Sequence, residues 1–205
     1  LMTSWYQATD DAYVEQKKKT TNFGSASFLR VKNAAADMNI YLKFGVDTLD
    51  PLPGTCRTYL GTFLRTWVKE PSVDGGSVYA VGNGWMENTI NWNNAPPIGG
   101  AVMGKIDAAT DESDVITGLG SYVAGNGDYS LAVRNDSSNS ADYRSWESGW
   151  GPEIGITFRQ EIIQEPTAAI GVSHDRGLAP FTVQFTDFSE GCPTSWHWDF
   201  GDGAT

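Results

Sequence analysis

The sequence predicts an all-β chain, and three observations carry that expectation. Apolar and polar residues alternate in one short run after another, as in Phe28-Leu29-Arg30-Val31-Lys32, Ile40-Tyr41-Leu42-Lys43-Phe44 and Tyr129-Ser130-Leu131-Ala132-Val133. That period is the mark of a half-buried strand. Turn formers separate the runs, with 23 glycines and 9 prolines in 205 residues, as many short strands and tight turns require. Helical spacing shows only in residues 113–124, where Val115, Ile116, Leu119, Tyr122 and Val123 suggest one short amphipathic helix. Gly125-Asn126-Gly127-Asp128 would end it.

Taken in order, residues 12–15, 28–32 and 40–44 read as strands, with the triple lysine at Lys17 to Lys19 as a solvated loop tip. Asp50-Pro51-Leu52-Pro53-Gly54 is a turn that no central strand accommodates. Residues 58–69 form the longest apolar strand, offering Leu60, Leu64, Trp67 and Val68 to the core. Asp74-Gly75-Gly76-Ser77 turns the chain into a strand over residues 78–81. Further strands are expected at 102–106, 129–133, 143–147 and 154–158. Leu1-Met2 reads as the edge of a longer parent chain.

Charge narrows the partners. The sequence has 14 basic and 25 acidic residues, a formal net charge of −11. Such a surface repels nucleic acid and anionic lipid, so nucleic acid is not an expected partner. No apolar run reaches membrane-span length. Cys56 and Cys192 can pair in only one way, and neither they nor His174 and His197 show zinc-ligand spacing.

The most informative stretch runs from Gly84 to Pro97. Thr89-Ile90-Asn91-Trp92 alternates as a half-buried strand does, and Asn93-Asn94-Ala95-Pro96-Pro97 stops it. Two readings stand: a structural corner pinned by Trp85 and Trp92, or an indole facing solvent and stacking on a sugar. The pattern Trp85-x-Glu87-x-Thr89-Ile90-x-Trp92-Asn93-Asn94-x-Pro96 resembles the central motif of the DNRLRE, or disaggregatase-related, domains. Asp11-Ala12-Tyr13-Val14 with Asn22-Phe23-Gly24-Ser25 and Leu29-Arg30-Val31 resembles the family's opening. Tyr143-Arg144-Ser145-Trp146-Glu147-Ser148 with Pro152-Glu153-Ile154 resembles its close. The resemblance implies a jelly-roll-like antiparallel β-sandwich over residues 1–160, grouped with carbohydrate-binding modules.

Composition shifts after Phe158. Ala179-Pro180-Phe181-Thr182-Val183-Gln184-Phe185-Thr186-Asp187 and Trp196-His197-Trp198-Asp199-Phe200-Gly201-Asp202-Gly203 resemble the PKD domain. Residues 161–205 would then supply the first half of an immunoglobulin-like β-sandwich, with strands beginning near Pro166, Ala179 and Trp196 and a hairpin at Gly201-Asp202-Gly203. An exposed half-sandwich invites pairing with neighbouring copies.

Three kinds of site follow. For carbohydrate, Trp146 and Trp150 flank a Ser-Gly loop where burial is hardest, and Arg134, Asn135 and Arg144 lie near enough in sequence to bond hydroxyls or an acidic sugar. For metal, Asp10, Asp11, Asn22 and Glu147 form one candidate calcium grouping, and residues 135–142 another oxygen-rich stretch. For catalysis, Asp10, Asp11, Glu87, Glu147 and Glu153 show no spacing that marks a glycosidase pair. The expected role is non-catalytic binding of extracellular polysaccharide within a larger surface or secreted protein. The alternatives are a structural spacer or adhesive module, and an accessory part of a polysaccharide-degrading enzyme.

Overall fold

The computed structural model describes residues 1–107, 114–178 and 180–200. The chain divides into two compact units: Leu1–Asp50 with Tyr59–Arg159, and Pro51–Thr58 with Gln160–Thr205.

The first unit is an antiparallel β-sandwich. Its strands are β1 (Met2–Gln7), β2 (Asp10–Glu15), β3 (Phe28–Val31), β4 (Met38–Val46), β5 (Thr55–Glu70), β6 (Gly76–Val81), β7 (Gly104–Ile106), β8 (Asp114–Gly118), β9 (Gly127–Arg134), β10 (Ala141–Arg144) and β11 (Glu153–Ile162). One sheet runs β1-β11-β5-β10-β3, with β8 also paired to β5, and the other runs β2-β4-β9-β6-β7. Strands β5 and β11 extend into residues assigned to the second unit.

Alternation along each strand decides what the sheets bury. On β4, Ile40, Leu42, Phe44 and Val46 face the other sheet, and on β5 Leu64 and Val68 do the same. They meet Leu131 and Val133 of β9, Tyr143 of β10, and Ile154, Ile156 and Phe158 of β11. Each fully buried Leu, Ile or Phe contributes roughly 1.5–3 kcal/mol of apolar transfer. Tyr143 is buried in this layer and donates its hydroxyl to the Gly75 carbonyl at 2.8 Å.

The intervening residues of the same strands point outward and form a second layer. Ala12, Val14, Tyr41 and Ala132 lie on the outer face of the five-stranded sheet, packed with Trp85 and Ile90 of the loop before β7. That loop roofs the sheet.

Three local expectations need correction. Residues 89–92 form turns within this roof, not a strand, because Asn91 and Asn94 spend their side chains on local backbone groups. The helix expected over 113–124 does not form in its described part: residues 114–118 are a strand and residues 119–124 are turn and irregular chain. Residues 114–118 pair with Phe63 to Trp67 of β5, so tertiary pairing overrides the apparent helical period. Residue 113 lies outside the described residues. The strand expected over 143–147 ends at Arg144, and a 3-10 turn follows at Trp146–Ser148. Strand β1 was not foreseen, although Trp5 and Tyr6 now lie half-buried along β11.

In the second unit, β12 (Ile170–Val172) pairs with β13 (Phe185–Asp187). Cys56 and Cys192 form a disulfide with their Cα atoms 6.2 Å apart. Phe185, Trp198 and Phe200 cluster, and the Trp196 indole N–H donates to Asp187 at 2.8 Å. The strand expected from Trp196 is absent over residues 196–200, where the aromatics pack by side chain without a ladder partner. The Gly201-Asp202-Gly203 hairpin lies outside the described residues.

Candidate functional site

The roof is fastened to the sheet at both ends. At its start, Trp85 is buried, donates its indole N–H to Ser130 Oγ at 3.2 Å and meets the Tyr41 ring edge-on at 6.0 Å. The Lys43 ammonium lies 4.7 Å from the centre of the Trp85 ring and also donates to the Trp85 carbonyl. Asn22 donates its amide to the carbonyls of Glu87 at 2.6 Å and Ile90 at 2.8 Å. Gly24 is required here, because a Cβ would collide with the Glu87 carbonyl. At the far end, the Tyr41 hydroxyl donates to the Pro96 carbonyl at 2.8 Å, and burial pushes its pKa up to about 12.

A groove of 330 Å³ opens between this far end and strands β2, β4 and β9. Val14, Tyr41, Trp92, Pro97 and Ile98 give it apolar walls, and Asp37, Asn39 and Arg134 give it polar ones. Arg134 is exposed, with its guanidinium 5.2 Å from the Tyr79 ring centre and 3.3 Å from the Tyr79 hydroxyl. Asn39 is only 9% exposed, and its side-chain oxygen accepts no hydrogen bond among the described residues. A buried acceptor left without a donor costs about 1–3 kcal/mol, so this atom is poised for a donor from outside the chain.

Among the described residues, the outer face of the six-stranded sheet has no such roof. Trp5 lies against Gly155, where any side chain would strike the indole. The Arg65 guanidinium sits 4.0 Å above the Trp5 ring and 5.8 Å from Trp67, while pairing with Glu153 and Asp114. Trp150, 58% exposed, meets Trp67 edge-on at 6.1 Å.

Carboxylates gather at the edge strand β2. Asp11, Glu87 and Glu147 each bring an oxygen within 4.8 Å of the others. The Asp11 amide donates to Glu87 at 2.9 Å, and the Trp146 amide donates to Asp11 Oδ2 at 2.8 Å. Asp11 is 1% exposed, and its Oδ1 has no hydrogen-bond partner among the described residues. Burial, aided by the charges of Glu147, Glu87 and Asp10 and opposed by the Trp146 N–H, raises its pKa to about 7. Burial also raises the Glu87 pKa.

The residues picked from sequence divide accordingly. Arg134 lines the groove, whereas Trp150 belongs to the opposite outer face, so the two do not converge. Trp146 is exposed on the 3-10 turn, and Arg144 is half-buried on β10 opposite Phe28. Asn135 must be removed from the sugar-binding set. It is 1% exposed, its amide donates to the Asp74 carbonyl and its oxygen accepts from Ser137 N–H.

In the metal grouping, Asp11 and Glu147 do meet. Asn22 does not join them, because its amide holds the roof and its oxygen accepts from Gly24. Asp10 accepts from the Glu87 amide and faces Lys43 at 3.8 Å instead. In the other oxygen-rich stretch, Asp142 is taken by Arg30 in a bidentate pair. Glu87 and Asn39 were not picked for the metal grouping or the groove from sequence. Glu87 stood in the central motif and had a signal; Asn39, one amide in an alternating strand, had none.

The first unit is thus a two-sheet sandwich with a part-polar, part-aromatic groove on one outer face. The model of carbohydrate-binding module family 96 matches residues 2–158, and the chain belongs to that family. No curated protein matches the chain.

Proposed function

We propose that the module is a non-catalytic, extracellular binder of polysaccharide and that the glycan lies in the groove beside Trp92. The observation that carries this reading is the unpaired Asn39 oxygen within a groove shared by an indole and an arginine. The apolar face of a pyranose stacks on Trp92, a sugar hydroxyl donates to Asn39, and Arg134 donates to a further hydroxyl or carboxylate. Family membership supports the carbohydrate class and a role without chemistry of its own. In this reading the second unit is part of an immunoglobulin-like spacer within a larger surface protein.

Affinity electrophoresis against neutral and uronic-acid polysaccharides tests the proposal. Retardation by at least one polymer, relieved by Arg134→Ala without loss of fold, is the expected result. Unretarded wild-type protein across the panel would overturn it. One observation favours a second location: Trp150 is exposed beside Trp5, Arg65 and Trp67, which together offer a broader aromatic surface.

A further inference from the structure

We infer that Asp11, Glu87 and Glu147 form a binding site for a hard divalent cation of the calcium class. The three side chains come from strand β2, the roof loop and the 3-10 turn, separated by 76 residues between Asp11 and Glu87 and 135 between Asp11 and Trp146, the neighbour of Glu147. Three carboxylates held within 4.8 Å of one another repel unless a cation or bound protons offset their charge. Ordinary acidic patches are exposed and solvated. Here the central member is 1% exposed, and its Oδ1 is buried with no donor among the described residues.

The surrounding contacts look like a frame for that oxygen. The Trp146 N–H fixes one carboxylate oxygen of Asp11, and the Asp11 N–H fixes one of Glu87. Each carboxylate therefore keeps an oxygen for another partner. Lys43 does not fill the place, because it is engaged with Asp10 and the Trp85 carbonyl. An all-oxygen donor set suits calcium, which takes 6–8 oxygens and accepts water for the remainder. It does not suit zinc, which prefers nitrogen and sulfur. A cation there ties the roof to the edge of the sheet and to the turn bearing Trp146.

The test uses the full chain stripped with chelator, then titrated with calcium alone. Terbium luminescence, sensitised by the nearby indoles and displaced by calcium, reads occupancy. The expected outcome is one saturable ion per chain and a melting temperature raised by roughly 5–10 °C at 100 times the dissociation constant. Glu147 is exposed, so Glu147→Gln should lose most of the binding while melting in chelator like the wild type. Glu87→Gln keeps an oxygen for the Asp11 amide and should lose binding likewise. Absence of saturable binding up to about 10 mM calcium, above the weak range of extracellular sites, would overturn the inference. So would binding that both substitutions leave unchanged.

Discussion

The two outer faces of the sandwich put their tryptophans to different uses. On the five-stranded sheet, Trp85 is 5% exposed and roots a loop that covers Tyr41 and Ala132, leaving Trp92 half-buried at a groove. On the six-stranded sheet, Trp5, Trp67 and Trp150 lie beside Arg65, with no roofing loop among the described residues. The roofed face offers concavity and an unpaired acceptor. The bare face offers area. In the proposed reading, a glycan chain takes its stacking and directed hydrogen bonds on the first.

The largest effect that can break this comparison is on stability. Trp85→Ala removes a buried indole, its hydrogen bond to Ser130 and its contact with Tyr41, and should cost about 3–5 kcal/mol in denaturant unfolding. Trp150→Ala should stay within about 0.5 kcal/mol of wild type, as exposed sites do. Equal losses would mean that the bare face is as structural as the roofed one. A middling effect is expected for Tyr41→Phe, which deletes the bond to Pro96 and should cost about 1 kcal/mol.

A further test concerns pH. The folded Tyr41 holds its proton to about 12, above the ordinary value of 10.0. Its contribution is therefore complete below about pH 10 and lost as pH rises towards 12. Tyrosinate absorbance followed alongside unfolding should show Tyr41→Phe flattening that loss, and an unchanged slope would detach Tyr41 from the roof.

The frame of the sandwich was legible because period-two alternation is a local property: β2, β3, β4, β6, β9 and β11 all announce themselves within a few residues. What escaped depends on partners far away in the chain. Residues 114–118 look helical until β5 is set beside them, and Thr89 to Trp92 look extended until the Asn91 and Asn94 turns are seen. Trp146 and Trp150 were picked because loop tryptophans are hard to bury, and both are indeed exposed. Loop position alone could not show that Trp150 faces away from Arg134, nor that Asn135 turns inward. Asp11 and Glu147 were paired on sequence, but Glu87 was weighed only as a motif residue and a possible acid, not as a metal ligand. Its proximity arises from the roof folding back onto β2, which no spacing rule encodes.

The central claim is that the groove, not the bare face, holds the glycan. It is tested most directly by titrating a retained polysaccharide into Arg134→Ala and Trp150→Ala side by side in a calorimeter. Loss of a charged hydrogen bond of about 1.5–3 kcal/mol corresponds to roughly 10- to 150-fold weaker binding, and the account predicts this for Arg134→Ala with Trp150→Ala near wild type. Binding abolished by Trp150→Ala and untouched by Arg134→Ala would contradict it.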